Sequence, residues 1–317
     1  MLAVGGGGIV SGSIYSAESQ PGGACVALSR PEGRGDERTG AGVRVLFVAD
    51  VIGSPGRRVL RDLLPLVRQD VRADAVIVNG ENSAGGFGIT PEIVKELLDL
   101  GAAAITTGNH VWDKKEILPT LDSEPRLLRP ANYPPVNPGH GSVVVPVGDV
   151  RLAVLNLQGR TFMTPIDDPF REVDRLLAEL AAREEPPHAI VVEFHAEATS
   201  EKQAFGRYLD GRVAAVVGTH THVQTADERR LTKGTAYLTD LGMTGGLGGI
   251  IGMKWEISVE RQVTMTRGER MQPADEDLHL QGAVVEIDPA TGLAKSIERV
   301  SVGMERLLTE KFGKKHG

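Results

Sequence analysis

The sequence predicts an α/β fold in a layered arrangement, in which two sheets lie between helices and form a single domain. Three observations lead to this prediction. Short apolar runs rich in β-branched residues recur along the chain, as expected for strands buried on both faces. Amphipathic helical segments alternate with those runs, which is the pattern of a sheet covered by helices. A hairpin and several later β segments add further strands and therefore indicate a second sheet.

In the first half of the domain, predicted strands alternate with predicted helices. The strands are 43–49, 74–79 and 102–107, and the helices are 53–71 and 90–101. The first helix follows from the helical spacing of apolar residues such as Val59 and Leu63, and Pro65 is expected to bend it. The second helix has clear boundaries, because Thr90 is a favourable N-cap and Gly101 a favourable end.

The second half continues the alternation and adds β segments. The predicted elements are a hairpin over 140–159, helices 168–185 and 200–211, strands 188–194 and 212–218, and later β segments 234–240, 255–266 and 280–288. The hairpin turns at Gly148-Asp149, and Asp167 or Asp168 caps the helix that follows it. Since no linker-like break divides residues 43–303, we predict that they form one domain.

The two ends of the chain differ from this domain in composition. Residues 1–42 contain eleven glycines and show neither helical nor strand periodicity, so we predict that they are disordered. Alternatively, they are an extension created by a mis-assigned start, with Val43 encoded by a GTG start codon. The tail, residues 304–317, is polar and is expected to fray.

Composition and charge exclude several classes of function. The formal net charge of −7 argues against a dedicated binder of duplex nucleic acid, which needs a basic face. The single cysteine, Cys25, excludes an internal disulfide framework and a cysteine-rich zinc site. No stretch approaches the roughly 18 apolar residues of a membrane-spanning helix. The sequence shows no targeting signal either, so we expect a cytoplasmic protein without a membrane partner.

Polar side chains that can bind metals follow five of the predicted strands, each at the carboxyl end. They are Asp50, Glu81 with Asn82, Asn109 with His110, His195, and the pair His220 and His222. Ligands bind at this edge of open α/β sheets, and the fold would bring these distant positions together. Each residue alone has an ordinary structural explanation, such as a turn or a hydrogen-bonded buried histidine. Their coincidence, with two imidazoles in His220-Thr221-His222, predicts a metal site.

These residues resemble the sequence blocks of the calcineurin-like metallophosphoesterase superfamily. The matching blocks, within residues 43–225, are Asp50, Gly80-Glu81-Asn82, Gly108-Asn109-His110, His195 and His220-Thr221-His222. The chain departs from the general pattern, because Ile52 stands where a histidine is usual and Glu81 where the bridging ligand is usually Asp. These departures resemble the YmdB-like subfamily of 2′,3′-cyclic-nucleotide 2′-phosphodiesterases. The segments similar to that subfamily are FVADVIGSPGR, VNGENSAGGFGIT, TTGNHVWD and GTHTHVQTAD, and the likeness extends to about residue 300.

The resemblance implies a layered α/β/β/α sandwich of the metallophosphoesterase type with a dinuclear metal centre. One ion would be held by Asp50, Glu81, Asn82 and His222, and the other by Glu81, Asn109, His195 and His220. Glu81 would bridge the two ions. Mixed nitrogen and oxygen ligands without a thiolate suit iron, manganese or zinc. The resemblance favours iron or manganese, as divalent or trivalent ions.

The implied activity is hydrolysis of 2′,3′-cyclic nucleotides to 3′-nucleotides. A hydroxide that bridges the two metals would attack phosphorus, and His110 is implied as the general acid. Two other activities are open for the same site, a phosphomonoesterase and a nuclease acting on RNA ends. A third alternative is a non-catalytic signalling module that is stabilised by its metal. We expect a small nucleotide phosphodiester as the partner, and exposed edge strands would allow a homo-oligomer.

Overall fold

Two β-sheets lie face to face in the computed structural model, which describes residues 42–266 and 268–307. The strands of these residues are, in chain order, β1 (Val43–Val48), β2 (Asp50–Val51), β3 (Ala75–Asn79), β4 (Ala104–Thr106), β5 (Ser142–Val147), β6 (Val150–Gln158), β7 (Ala189–His195), β8 (Ala215–Thr219), β9 (Arg229–Arg230), β10 (Ala236–Leu238), β11 (Met243–Gly246), β12 (Leu278–Asp288) and β13 (Leu293–Gly303). The α-helices are α1 (Gly53–Asp70), α2 (Pro91–Asp99), α3 (Leu118–Ser123), α4 (Pro169–Ala181), α5 (Thr199–Tyr208) and α6 (Trp255–Thr264).

Each sheet contains a run of parallel strands. The first sheet has the strand order β2-β11-β12-β1-β3-β4, and β13 also pairs with β12. Strands β1, β3 and β4 are parallel to one another, whereas β12 runs antiparallel to β1. The second sheet has the order β5-β6-β7-β8-β10-β9, in which β6, β7, β8 and β10 are parallel. The carboxyl ends within each parallel run therefore lie at one edge of the sheet.

Three apolar layers hold the sheets and helices together. Helices α1 and α2 bury their apolar faces on the outside of the first sheet. Between the sheets, side chains such as Phe47 of β1 and Val191 of β7 share a second buried cluster. Helices α4 and α5 cover the second sheet, where Phe205 stacks on Phe194 with ring centroids 4.1 Å apart. This arrangement confirms the predicted α/β/β/α sandwich.

Local signals placed most elements correctly. Helix α2 begins where predicted, because the side chain of Thr90 accepts a hydrogen bond from the Ile93 N–H. Of the two candidate caps for α4, the structure selects Asp168, which accepts from the Phe170 N–H. Strands β5 and β6 form the predicted antiparallel hairpin around the turn at 148–149. Pro65 lies inside α1, which runs unbroken as one element.

The predicted β segment 255–266 is wrong, because these residues form helix α6. Apolar residues at alternate positions, Trp255, Ile257 and Val259, gave the period of a half-buried strand. In the structure only Ile257 and Ser258 of this helix are buried. The alternation of apolar residues therefore does not mark a buried face in this segment. Met265, in the left-handed region, ends the helix.

The remaining findings concern the glycine-rich segment, the ends of the chain and the character of the helices. The glycine-rich segment 242–256 begins with strand β11, whose Gly245 and Gly246 pair with β12. Of the predicted extension 1–42 only Gly42 is described, so that prediction lies outside the described residues, as does the tail from residue 308. Met304 and Leu307 still pack against the first core layer. Among the described helices, none has the length and apolar character needed to cross a membrane.

Candidate metal centre

The predicted site residues gather at the carboxyl ends of the parallel strands. Asp50 begins β2, and Glu81 and Asn82 follow β3. Asn109 follows β4, His195 is the last residue of β7, and His220 follows β8. Both sheets therefore contribute, and the site lies where their strand ends meet. Asp50, Glu81 and His195 have fully buried side chains, whereas those of His220 and His222 keep 21% and 10% of their exposure.

One half of the cluster is centred on His195. Its Nε2 lies 3.0 Å from Glu81 Oε1, 3.0 Å from Asn109 Oδ1 and 3.0 Å from His220 Nδ1. A ring nitrogen carries at most one proton, so it cannot donate to all three neighbours. The candidate ligand atoms of Glu81, His195 and His220 all lie within 4.8 Å of one another. Such convergence of carboxylate and imidazole ligand atoms is typical of a cage around a cation.

The other half is centred on Asn82. Its Nδ2 lies 3.4 Å from Asp50 Oδ1, 3.3 Å from Glu81 Oε1 and 3.2 Å from His222 Nε2. His222 Nε2 is in turn 3.6 Å from Asp50 Oδ1. If the side-chain amide of Asn82 were rotated so that its oxygen and nitrogen exchanged places, Oδ1 would face the carboxylates of Asp50 and Glu81 and the imidazole of His222. An oxygen there is favourable only if a cation occupies the centre of the group.

In each of the three histidines, the ring nitrogen that faces away from the cluster has a polar partner that orients the ring. The outward nitrogen of His195, Nδ1, lies 3.0 Å from the Thr219 hydroxyl. That of His220, Nε2, lies 3.1 Å from a carboxylate oxygen of Glu197, and that of His222, Nδ1, lies 2.9 Å from the carbonyl of Ile251. Carboxylates and carbonyls only accept, and the Thr219 hydroxyl already donates to Glu193. These outward nitrogens are therefore the protonated ones in the neutral ring. The inward nitrogens then present lone pairs to the cluster, as metal-binding histidines do.

Electrostatics within the cluster also fit a cation. Burial raises the pKa of Asp50, but the hydrogen bond and charge of His222 outweigh it and hold that pKa at about 2. Burial lowers the pKa of His222, whereas its hydrogen bond to Asp50 and the charge of Asp50 raise it to about 9. Burial and the charge of His195 lower the pKa of His220 to about 3. Ionised carboxylates are thus balanced by protons on imidazoles, and a bound cation would take the place of those protons.

His110 lies beside the cluster rather than inside it. Its backbone N–H donates to Glu81 Oε2 at 3.1 Å, so the carboxylate that faces both halves also fixes the chain at His110. The imidazole Nδ1 lies 2.9 Å from Asp113 Oδ2, and the ring packs edge-on against Phe87 at 5.1 Å between centroids. With Nδ1 occupied by Asp113, Nε2 is the nitrogen that can exchange a proton.

Sequence reasoning missed a set of buried polar residues behind the ligands. Glu193 Oε1 accepts hydrogen bonds from Asn79 at 2.6 Å and from the Thr219 hydroxyl at 3.1 Å. Thr219 contacts His195 in turn, so this relay holds the imidazole from the middle of the sandwich. Burial raises the pKa of Glu193 to about 7. The signal was present, because Glu193 is the one charged residue in the apolar run HAIVVEF.

The fold and the site together define a protein of the metallophosphoesterase type, with two sheets between helices and an acid, amide and imidazole cluster at the strand ends. A narrower assignment follows from comparison with known families. The model of the family described as YmdB-like protein matches residues 46–300. The chain belongs to this family.

Individual relatives cover the domain almost completely. A Bacillus subtilis protein named 2′,3′-cyclic-nucleotide 2′-phosphodiesterase is 49% identical over 268 residues, which are 84% of this chain and 100% of that protein. A solved structure of a hypothetical protein from Thermus thermophilus is 42% identical, with a TM-score of 0.76 over 82% of this chain and 99% of that chain. The structure of a novel phosphatase from Mycoplasma pneumoniae is 32% identical, with a TM-score of 0.77 over 86% of this chain and 98% of that chain.

Proposed function

We propose that this chain is a metal-dependent phosphodiesterase that hydrolyses 2′,3′-cyclic nucleotides. The observation that carries the proposal is the convergence of His195 Nε2, Glu81 Oε1, Asn109 Oδ1 and His220 Nδ1 on one point beside His110. A purely structural metal site would not need an acid–base group held next to it. The Bacillus subtilis relative, aligned over its whole length, supports the same substrate class.

Two ions, iron or manganese, are the proposed cofactors. Asp50, Glu81, Asn82 and His222 would hold one ion. The other ion would be held by Glu81, Asn109, His195 and His220. When bound, such a pair neutralises phosphate oxygens and lowers the pKa of water. The donors fit, since they combine carboxylate, amide and imidazole groups without a thiolate.

His110 is the proposed general acid. An alkoxide leaves poorly, so cleavage of the ester bond needs a proton at the departing oxygen. The carboxylate of Asp113 lies 2.9 Å from Nδ1, and the Phe87 ring packs against the imidazole, so both fix its orientation. The imidazole can then deliver the proton from Nε2. We assign cleavage to the 2′ side, with a 3′-nucleotide as product, on the strength of the Bacillus subtilis relative.

A second candidate is a phosphomonoesterase, which the Mycoplasma pneumoniae phosphatase favours. A nuclease acting on RNA ends would use the same groups. The cytoplasmic location and the homo-oligomer stay predictions as well.

Elemental analysis followed by a substrate panel tests the proposal. The panel contains 2′,3′-cyclic AMP, 3′,5′-cyclic AMP, p-nitrophenyl phosphate and a short RNA. We expect two iron or manganese ions per chain and fastest turnover of 2′,3′-cyclic AMP to 3′-AMP. Preference for p-nitrophenyl phosphate would favour the phosphomonoesterase, and preference for RNA the nuclease. A metal-loaded protein without turnover on all four would reject the enzyme and favour the signalling module.

A further inference from the structure

A buried ion pair lies directly behind the turn that carries two of the proposed ligands. Lys202 of α5 and Asp240, which follows β10, are 1% and 0% exposed. Lys202 Nζ donates to Asp240 Oδ2 at 2.7 Å. Burying two charges is costly, and replacing such a pair by apolar residues often leaves stability unchanged or improves it. The pair therefore calls for an explanation other than stability.

The turn itself has an unfavourable backbone. His220 has φ +98° and His222 has φ +64°, and both are non-glycine residues in a region that costs free energy. Such conformations persist only when the surroundings impose them. In this turn they aim both imidazoles at the cluster.

Asp240 supplies the constraint through the residue between the two histidines. Its Oδ2 accepts from the Thr221 N–H at 3.2 Å and from the Thr221 hydroxyl at 2.8 Å. Its Oδ1 accepts from the Gly242 N–H at 2.9 Å, so the carboxylate joins the turn to the start of β11. The backbone of Asp240 also exchanges hydrogen bonds with Thr225.

The residues behind the turn are closely packed. A Cβ on Gly218, in β8, would lie 1.8 Å from the carbonyl oxygen of Thr239 and 3.1 Å from Cδ of Lys202. The strand that leads into the turn is thus pressed against the segment that carries Asp240. Lys202, in α5, contacts the Asp240 carboxylate across this packed segment.

We propose that Lys202 and Asp240 are positioning residues that hold His220 and His222 in metal-binding geometry through Thr221. Asp240 fixes Thr221 with two hydrogen bonds, and Lys202 orients the Asp240 carboxylate through its own hydrogen bond to Oδ2. The inference rests on the proposed metal centre and adds residues that do not touch the metals themselves.

Manganese binding by the full-length, metal-stripped chain tests the pair. We expect Lys202→Met and Asp240→Asn to raise the dissociation constant for Mn²⁺ by about 10–100-fold, as losses behind metal ligands do. Cobalt-substituted variants should show altered d–d absorption, because the imidazoles shift. The matched control is Asp210→Asn, which removes another buried carboxylate. Asp210 lies just after the end of α5 and accepts a hydrogen bond from the Lys233 N–H. It should lower the melting temperature and leave manganese affinity unchanged.

A second pair of variants guards against misfolding of the first. Thr221→Val removes the hydroxyl and should weaken Mn²⁺ binding, whereas Thr221→Ser keeps it and should restore wild-type affinity. Wild-type affinity in folded Lys202→Met and Thr221→Val, with only a lower melting temperature, would overturn the positioning role. If the wild-type chain itself binds no manganese, the proposed metal centre fails together with this inference. Tight binding by wild type and variants alike would reject this inference alone.

Discussion

The two halves of the candidate metal cluster differ in how one histidine of each is held. We call the half around Asn82, with Asp50 and His222, the first half-site. The half around His195, with Asn109 and His220, is the second half-site. Glu81 contacts both half-sites. The central histidine of the second half-site ends strand β7 and is fully buried. Its counterpart in the first, His222, lies on a loop and keeps some exposure.

The comparison shows that one cluster of ligands can combine a residue fixed by strand pairing with a residue fixed by contacts between loops. His195 is fixed by sheet register, since it pairs with Gln158 of β6 and Thr219 of β8. His222 depends on local contacts, because its outward nitrogen bonds to the carbonyl of Ile251 in another loop. Strand positions open only with the core, whereas loops open at much lower free energy. We therefore expect the first half-site to release its ion before the second.

Removing one histidine from each half-site in turn gives the largest expected effects. In His195→Ala the second half-site should lose its ion, and turnover of 2′,3′-cyclic AMP should fall by more than the roughly 100-fold typical of changes behind a ligand. In His222→Ala one ion per chain should remain, held by the second half-site. Elemental analysis and turnover measure both effects.

The matched control for these variants is His140→Ala, which removes an exposed histidine away from the cluster. It should keep both ions and full activity. Two ions per chain in His195→Ala would contradict its assignment as a ligand. Equal metal loss in both variants would remove the distinction between the half-sites.

His110→Ala separates chemistry from metal binding. We expect both ions to remain and turnover of 2′,3′-cyclic AMP to fall by about 10²–10⁴-fold, because the leaving oxygen loses its proton donor. That loss corresponds to roughly 3–5 kcal/mol of barrier. Bis-p-nitrophenyl phosphate should be less affected, because p-nitrophenolate leaves without a proton. Equal losses on the two substrates would point away from general-acid catalysis.

The sequence was sufficient to predict the main elements and the convergence of the candidate site residues. Apolar runs located the parallel strands, and the topology of such sheets explains why Asp50, Glu81 and His195 meet although they lie far apart in the chain. The ligand assignment itself came from resemblance rather than from spacing. The prediction of a β segment over 255–266 was wrong because exposed apolar residues on α6 have the spacing of a strand.

The residues behind the ligands were harder to foresee. Asp240 follows a strand just as Asp50 follows β1, and strand-end position alone could not tell an acid that holds a turn from one in the cluster. Lys202 appeared only as one polar residue in a helix, and its burial depends on the packing of α5 against β8. Such roles come from tertiary contacts that no local pattern encodes.

Thr219→Val probes the strand-based half-site from behind. The hydroxyl accepts from His195 Nδ1 and donates to Glu193, so its loss leaves the imidazole without an oriented partner. We expect affinity for the second half-site ion to fall by about 10–100-fold. Thr219→Ser should restore it. Metal titration monitored by cobalt absorption distinguishes the sites, and an unchanged second half-site would show that sheet register alone positions His195.

Gly252→Ala probes the loop-based half-site and should give the smallest effect. Gly252 has φ +84°, and an added Cβ would lie 2.9 Å from both Ile52 Cγ1 and Met243 Sδ. The strain, about 1–2 kcal/mol for a left-handed alanine, would displace the neighbouring Ile251 carbonyl that holds His222. A modest loss of affinity is expected in the first half-site alone. Gly148→Ala is the matched control, because Gly148 has φ +58° with nothing within 4 Å of the added Cβ. It carries the backbone strain without reaching the cluster, so melting temperatures should fall in both variants while first-site affinity falls only in Gly252→Ala. If both variants bind metal like wild type, the Ile251 loop does not set the geometry of His222, and the contrast between strand-borne and loop-borne ligands loses its basis.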